Sequence, residues 1–296
     1  MLLDEGMTTP RPAPATRFYT ARDIDLAVHE WSSAGTGVPL VFAHATGFHG
    51  RVFDAIIEQF PAHPAHAIDL RGHGQSGGGP IDDWRIMARD VADFLAQSGL
   101  VGAVGIGHSM GAHTLLQVAA DIPDAFTRLV LFDPVILAPE FYAPGPPLYT
   151  PDNPHPTIRR KRDFASPEAM MERFRERDPY NNFDPRVLED YCRYGLVESP
   201  SGEGMELACA PETEASIYAS SRSNGAILDA AKRVNIPVLV VRAKHTDLQD
   251  FKSSPTWPEL ASTLPQGTDC YRPDRTHFHP FEDPEDAARI IAEWIG

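Results

Sequence analysis

Residues 104–111 read Val-Gly-Ile-Gly-His-Ser-Met-Gly, and this segment sets the fold class expected for the chain. An apolar run ends there, and a helical pattern begins at Met110. The glycines on either side of Ser109 permit a tight turn from strand to helix, which lifts the serine hydroxyl above the edge of a sheet. The helix N-terminus would offer free N–H groups to a developing oxyanion. We therefore interpret Ser109 as a nucleophile.

Apolar runs and amphipathic stretches alternate on both sides of this segment. The apolar runs predict strands at Val38–Ala43, Ala65–Leu70, Val101–Ile106, Leu129–Phe132 and Ile236–Val241. The amphipathic stretches predict helices at Arg51–Phe60, Trp84–Gln97, Met110–Asp121 and Pro284–Ile295. Such alternation is typical of an α/β fold with a mostly parallel sheet flanked by helices.

The composition changes at Pro139, where a proline-rich segment begins that no strand or helix could cross. Beyond it the sequence is charged and helical in pattern, with a helix start at Ser166 and no strand-like run. We predict a core of residues 18–138 and 231–296, interrupted by a helical cap or lid at residues 139–230. Residues 1–17, which carry several prolines, are predicted to be a mobile tail.

Charge and cysteine content limit the expected partners and location. The chain of 296 residues has 26 Lys and Arg against 41 Asp and Glu, a formal net charge of −15. This sign disfavours binding to nucleic acid or to an anionic membrane surface. Three widely spaced cysteines suit a reducing compartment, so a cytoplasmic location is expected. We expect neither a metal ion nor another cofactor, and a homodimer is left open.

Three further segments resemble the α/β-hydrolase family. Residues 44–47, His-Ala-Thr-Gly, are similar to the family's oxyanion loop, and residues 69–76 resemble a structural turn that follows the next strand. Residues 276–284 resemble the segment that carries the family's catalytic histidine. The resemblance implies an oxyanion hole formed by the N–H groups of Thr46 and Met110, and a general base at His277. His279 is the weaker candidate for the base.

Two aspartates compete for the role of orienting His277. In the family the acid follows either the strand after the nucleophile helix or the next strand. Asp133 occupies the first position and Asp247 the second, with Asp250 as a weaker third candidate. We favour Asp133, because Pro134 stops regular structure directly after it and because it ends a strand on the edge that carries Ser109.

The resemblance implies a serine hydrolase that cleaves an ester, lactone or thioester of a small organic substrate through an acyl-enzyme. Two alternatives stay open: hydrolysis of an activated carbon–carbon bond by the same residues, and a slow-turnover ligand receptor. The basic run at residues 159–162 is either a solvated helix start or a site that attracts an anionic substrate to the pocket mouth.

Overall fold

The computed structural model describes residues 12–33, 35–150, 152–247 and 250–296. Within these residues eight strands form the main sheet. Its strands are β1 (Ala15–Ala21), β2 (Ile24–Trp31), β3 (Leu40–Ala43), β4 (Ala65–Ile68), β5 (Ala103–His108), β6 (Phe126–Phe132), β10 (Val238–Ala243) and β11 (Gly267–Arg272). A second, small sheet contains β7 (Asp163–Phe164), β8 (Leu196–Glu198) and β9 (Met205–Leu207).

The main sheet has the strand order β1-β2-β4-β3-β5-β6-β10-β11. β1 and β2 pair antiparallel, as do β2 and β4, and the remaining neighbours are parallel. The predicted mostly parallel sheet is therefore confirmed. The parallel strands end at one edge, where the loops carrying the candidate site meet.

The α-helices lie on both faces of the sheet and in the segment between β6 and β10. They are α1 (Asp54–Ile57), α2 (Arg85–Ser98), α3 (Met110–Asp121), α4 (Pro167–Phe174), α5 (Pro185–Tyr194), α6 (Pro211–Ala219), α7 (Ile227–Ala231), α8 (Leu260–Thr263), α9 (His279–Glu282) and α10 (Pro284–Ile295). No helix in the described ranges is long and apolar enough to cross a bilayer.

The core lies on both faces of the sheet because successive strand residues point to opposite sides. In β3, Leu40 and Phe42 join one apolar cluster, whereas Val41 and Ala43 join the other. All four are fully buried. This burial on both faces explains the continuous apolar runs of the central strands.

The segment between β6 and β10 differs from the prediction that it is entirely helical. It contains α4 to α7, and also the small antiparallel sheet in which β9 pairs with both β7 and β8. These strands are only two or three residues long, so they produce no apolar periodicity that a sequence could reveal. The helix start predicted at Ser166 is present, and its hydroxyl accepts a hydrogen bond from the N–H of Ala169.

The predicted boundary after residue 230 falls inside α7. Ile227, Ala230 and Ala231 of this helix belong to the same apolar cluster as α3. The helix therefore packs against α3 of the core.

The N-terminal boundary also differs from the prediction. The first strand begins at Ala15 and pairs with β2 from Ala15 to Ala21, so residues 15–17 are not a tail. The rest of the tail prediction, at residues 1–11, lies outside the described residues. The first residues of β1 are mostly exposed, which is why this edge strand has no apolar signature.

The inserted segment packs on the core through aromatic side chains. The ring of Phe48, in the loop after β3, lies 4.9 Å from Tyr191 and 6.1 Å from Phe183, both in the insertion. On its other side Phe48 stacks on Phe281 at 5.2 Å. The insertion therefore shares an apolar cluster with the core, next to the loop at residues 44–47.

Candidate active site

Ser109 occupies the sharp turn between β5 and α3. Its backbone angles, φ 57° and ψ −115°, lie outside the regions that residues other than glycine prefer. Neighbouring backbone groups hold this conformation: the N–H of Ser109 donates to the carbonyl of Phe132 at 2.9 Å, and its own carbonyl accepts from the N–H of Val135 at 3.2 Å. The predicted strand, turn and helix around Ser109 are thus present.

The two flanking glycines are required by close packing. A Cβ built at Gly111 would lie 2.1 Å from the carbonyl oxygen of Ala43, and one at Gly107 would lie 2.5 Å from the Cα of Ala112. Neither distance is compatible with a side chain. The glycines therefore let α3 approach the end of β3, which brings Ser109 beside the loop at residues 44–47.

His277 lies directly beside the serine. Its Nε2 is 3.0 Å from Ser109 Oγ, and its Nδ1 is 3.3 Å from Asp133 Oδ2. With Asp133 ionised, Nδ1 carries the proton and Nε2 is free to accept one from the serine hydroxyl. The backbone of His277 is held on both sides: its N–H donates to Lys252, and its carbonyl accepts from Nε2 of His108 at 2.8 Å.

Asp133 follows β6 and is fully buried. Its second oxygen, Oδ1, accepts hydrogen bonds from the N–H of Ala243 at 3.0 Å and from Ser254 Oγ at 2.5 Å. These donors satisfy the buried carboxylate and leave Oδ2 directed at His277. The structure therefore brings Ser109, His277 and Asp133 together, and their catalytic roles stay predictions.

The competing acids lie in the loop after β10. Asp247 is exposed, and its N–H donates to Ser253 Oγ at 3.1 Å. Asp250 is also exposed, and its carboxylate accepts from the N–H of Lys252 and from Thr246 Oγ1. The carboxylate that hydrogen-bonds His277 is that of Asp133.

The alternative base, His279, occupies a different environment. It begins α9, it is buried, and its ring lies edge-on to Phe132 at 5.2 Å. Burial lowers its pKa to about 4. The imidazole that contacts Ser109 is that of His277.

Thr46 and Met110, the two residues predicted to form the oxyanion hole, are in contact. Thr46 Oγ1 donates to Met110 Sδ over 3.3 Å. Met110 is the first residue of α3, so its N–H has no acceptor within the helix. This arrangement is compatible with the predicted oxyanion hole, whose role stays a prediction.

Histidines support the loop that carries Thr46. His44 is fully buried, donates from Nδ1 to the carbonyl of Ala45 at 2.8 Å and accepts the N–H of Leu70 at Nε2. His73 donates from Nδ1 to the carbonyl of Arg71 and accepts the N–H of Gly47 at Nε2, over 3.0 Å. Burial holds both histidines neutral by lowering their pKa values, that of His73 to about 4.

The turn at residues 69–76 supports the same loop, as a structural turn should. Asp69 Oδ1 accepts the N–H of Gly50 at 2.7 Å, and Oδ2 accepts from His29 Nε2 and from the N–H of Gln75. Arg71 binds Asp90 through two nitrogen atoms at 2.7 and 2.9 Å. His73 was not among the predicted site residues, although its place between two glycines of this turn was the available signal.

A small cavity of about 10 Å³, with space for about one water molecule, lies between the loop after β3 and the insertion. Gly47, Phe48 and His49 line one side, and Arg160 and Tyr191 are among the insertion residues that line the other. Arg160 belongs to the basic run at residues 159–162, where the neighbouring Arg159 is exposed. The sequence did not distinguish Arg160 within this run, because only the fold shows which of the four side chains turns inward.

The described residues contain no group of three or more histidine, cysteine or acidic side chains placed to hold a metal ion.

Comparisons with known proteins agree with this architecture. A family model described as the alpha/beta hydrolase family matches residues 40–290. Over 78 residues, 26% of its length, the chain is 38% identical to the sn-1-specific diacylglycerol lipase ABHD11 of Mus musculus, of which the match covers 24%. Over 117 residues, 39% of its length, it is 31% identical to a pimeloyl-[acyl-carrier protein] methyl ester esterase of Vibrio campbellii, of which the match covers 43%.

Both matches span less than half of the relative's length. Among solved structures, that of E-2-(acetamidomethylene)succinate hydrolase is similar with a TM-score of 0.75 and 20% identity, over 95% of this chain and 99% of that one. At this level of identity the likeness concerns the fold.

Proposed function

The chain belongs to the alpha/beta hydrolase family, and from this premise we propose that it is a serine hydrolase. It cleaves an ester, lactone or thioester of a small organic substrate through an acyl-enzyme on Ser109. The observation that carries the proposal is the hydrogen-bonded series from Ser109 Oγ to His277 Nε2, and from His277 Nδ1 to Asp133 Oδ2, over 3.0 and 3.3 Å. A nucleophile, a base and a group that orients the base are what acyl transfer needs.

In the first step His277 Nε2 takes the proton of Ser109 as Oγ attacks the substrate carbonyl carbon. The carbonyl oxygen gains negative charge, which the N–H groups of Thr46 and Met110 stabilise. Asp133 stabilises the imidazolium that forms. His277 then gives its proton to the leaving group, at the oxygen of an alcohol or the sulfur of a thiol. The acyl group remains on Ser109.

In the second step a water molecule replaces the leaving group. His277 takes a proton from the water as the water attacks the acyl carbon. The second tetrahedral species then collapses: His277 returns the proton to Ser109 Oγ, and the acid is released. The cytoplasmic location and the homodimer stay predictions from the sequence, and the mechanism depends on neither.

The test is hydrolysis of a chromogenic short-chain ester, with Ser109→Ala as the inactive variant. We expect multiple turnovers per minute in the wild type and a loss on the order of 10⁶ in kcat in the variant. Ser98→Ala, at the end of α2, is the matched control and should retain full activity. A fluorophosphonate probe should label the wild type at Ser109.

A single slow turnover would instead favour the ligand receptor. Cleavage of an activated carbon–carbon bond, with no turnover of any ester, would favour the other enzymatic alternative. Equal ester turnover in the wild type and in Ser109→Ala would contradict the proposal.

A further inference from the structure

Arg160 reaches from the insertion to the loop that carries the predicted oxyanion hole. It follows the 3₁₀ turn at Pro156–Arg159, and its side chain is only 17% exposed. A Cβ built at Gly47 would lie 3.2 Å from Arg160 Nη1 and 3.0 Å from Glu214 Oε1. Gly47 is the residue after Thr46, and consecutive Cα atoms are about 3.8 Å apart. The guanidinium therefore lies beside the residue that follows Thr46, one of the two predicted oxyanion donors.

Two contacts fix the orientation of this guanidinium. Nη1 donates to Glu214 Oε2 at 2.5 Å, and Nη2 donates to the hydroxyl of Tyr191 at 2.8 Å. The Tyr191 hydroxyl is in turn 3.3 Å from that of Tyr180. A guanidinium carries five N–H donors, and these two hydrogen bonds use only two of them. Arg160 is thus held rigidly while it keeps donors for a further acceptor.

The surroundings make such an acceptor bind strongly. The cavity that Arg160 lines has apolar walls, among them Phe48, Met170 and Leu207. In such surroundings a charged hydrogen bond is stronger than in water. A planar guanidinium that keeps further N–H donors can bind the oxygens of a carboxylate.

We propose that Arg160 binds a carboxylate on the acyl part of the substrate. The preferred substrates are then monoesters or monothioesters of short dicarboxylic acids such as glutaric acid. This inference rests on the proposed function and specifies its substrate class. Glu214 orients the guanidinium, and its negative charge also limits how tightly a second carboxylate binds.

The experiment compares two p-nitrophenyl esters of equal size: the monoester of glutaric acid, and the same compound with its free carboxylate replaced by a primary amide. In the wild type kcat/KM should be higher for the anionic ester. Arg160→Gln should lower the ratio of the two kcat/KM values by roughly 10- to 100-fold, as expected for a charged hydrogen bond, and should leave the neutral ester nearly unaffected.

Two further variants separate recognition from a structural role. Glu214→Gln keeps the arginine and removes the competing charge, so it should raise the ratio. If the pair only holds the insertion together, both single variants would lower turnover of both esters alike, which would overturn the proposal. Arg159→Gln, the exposed neighbour, is the matched control and should leave the ratio unchanged.

The double variant Arg160→Gln/Glu214→Gln leaves no unpaired buried charge. It replaces the single variant in the comparison of the two esters if Arg160→Gln does not fold. It should lose the preference for the anionic ester. Calorimetric titration with glutarate tests recognition apart from catalysis: binding to the wild type that Arg160→Gln abolishes supports the inference, even if no ester is hydrolysed and the proposed function fails. No binding of glutarate, or equal turnover of both esters by the wild type, overturns it.

Discussion

The N–H of Gly47 donates a hydrogen bond to Nε2 of His73 over 3.0 Å, which ties the loop after β3 to the turn after β4. Nδ1 of the same ring donates to the carbonyl of Arg71, so one neutral histidine joins the two segments. Because Gly47 follows Thr46, this bond sets the position of an N–H group that is predicted to stabilise the oxyanion.

Replacing His73 by leucine should lower kcat about tenfold with little change in KM, because the loop loses its acceptor and the oxyanion donor is misplaced mainly in the transition state. His73→Gln supplies an amide oxygen as acceptor and should recover part of the rate. Steady-state kinetics on a neutral ester measures both effects. His66→Gln, a half-buried histidine of β4, is the control, and an unchanged kcat in His73→Leu would contradict the interpretation.

Replacing Asp133 by asparagine should lower kcat on the order of 10⁴-fold, since the amide favours the wrong tautomer of His277. Asp247→Asn should retain most of the activity, because this carboxylate is exposed in the loop after β10. Thermal melts should accompany the kinetics, since Asp133 also accepts the N–H of Ala243. Loss of turnover in Asp247→Asn alone would show that the other acid is the catalytic one.

Replacing Gly111 by alanine should destabilise the protein by about 3 kcal/mol or more and lower activity, because its Cβ would lie 2.1 Å from the carbonyl oxygen of Ala43. Gly79→Ala is the matched control: a Cβ built there has no atom within 4 Å. Chemical denaturation and ester turnover measure the difference. Similar stability of the two variants would show that the turn relaxes more easily than the packing indicates.

Stability should fall as the pH is lowered from about 6.5 toward 4. Burial lowers the pKa values of His49, His73 and His113 to about 4, whereas in the unfolded chain they titrate near 6.5. Between these values the unfolded state binds more protons than the folded state. Near pH 4 each histidine therefore lowers the free energy of unfolding by on the order of 1 to 3 kcal/mol. Thermal melts at pH 7.5, 6 and 5 check this, and His49→Gln should show a shallower slope. A melting temperature that rises toward pH 5 would be inconsistent with these shifts.

Titration of Asp190, on α5, should change the pH dependence of stability in the opposite direction. Burial, together with the nearby Asp54 carboxylate, raises its pKa to about 7, so stability falls as the pH rises from about 4 to 7 and the folded state loses this proton. Asp190→Asn should stabilise the protein by on the order of 1 to 2 kcal/mol at pH 8, and the gain should shrink toward pH 5. Glu189→Gln, an exposed neighbour, is the control. A gain of equal size at both pH values would exclude titration of Asp190 as its cause.

The elements with strong local signals were predicted most closely. α3 and α10 have the predicted bounds, since a glycine-flanked turn precedes the first and Pro284 begins the second. The predicted helix at Arg51–Phe60 is instead a 3₁₀ turn at Gly50–Phe53 followed by α1, which ends at Ile57. The strands of the insertion were missed because cross-strand pairing, rather than periodicity, holds them.

By itself the sequence determined the α/β class, the turn at Ser109 and the segment that carries His277, because each depends on a local pattern of glycines, prolines and apolar runs. Only the tertiary structure decided which aspartate meets His277. Asp133 and Asp247 both follow strands that end at the same edge of the sheet, and β6 and β10 are neighbours there. The choice depends on the direction of two loops, which is set by contacts between residues more than a hundred positions apart, such as that of Ala243 with Asp133. The same reason applies to Arg160, since no local pattern separates the one inward-facing arginine from its exposed neighbour.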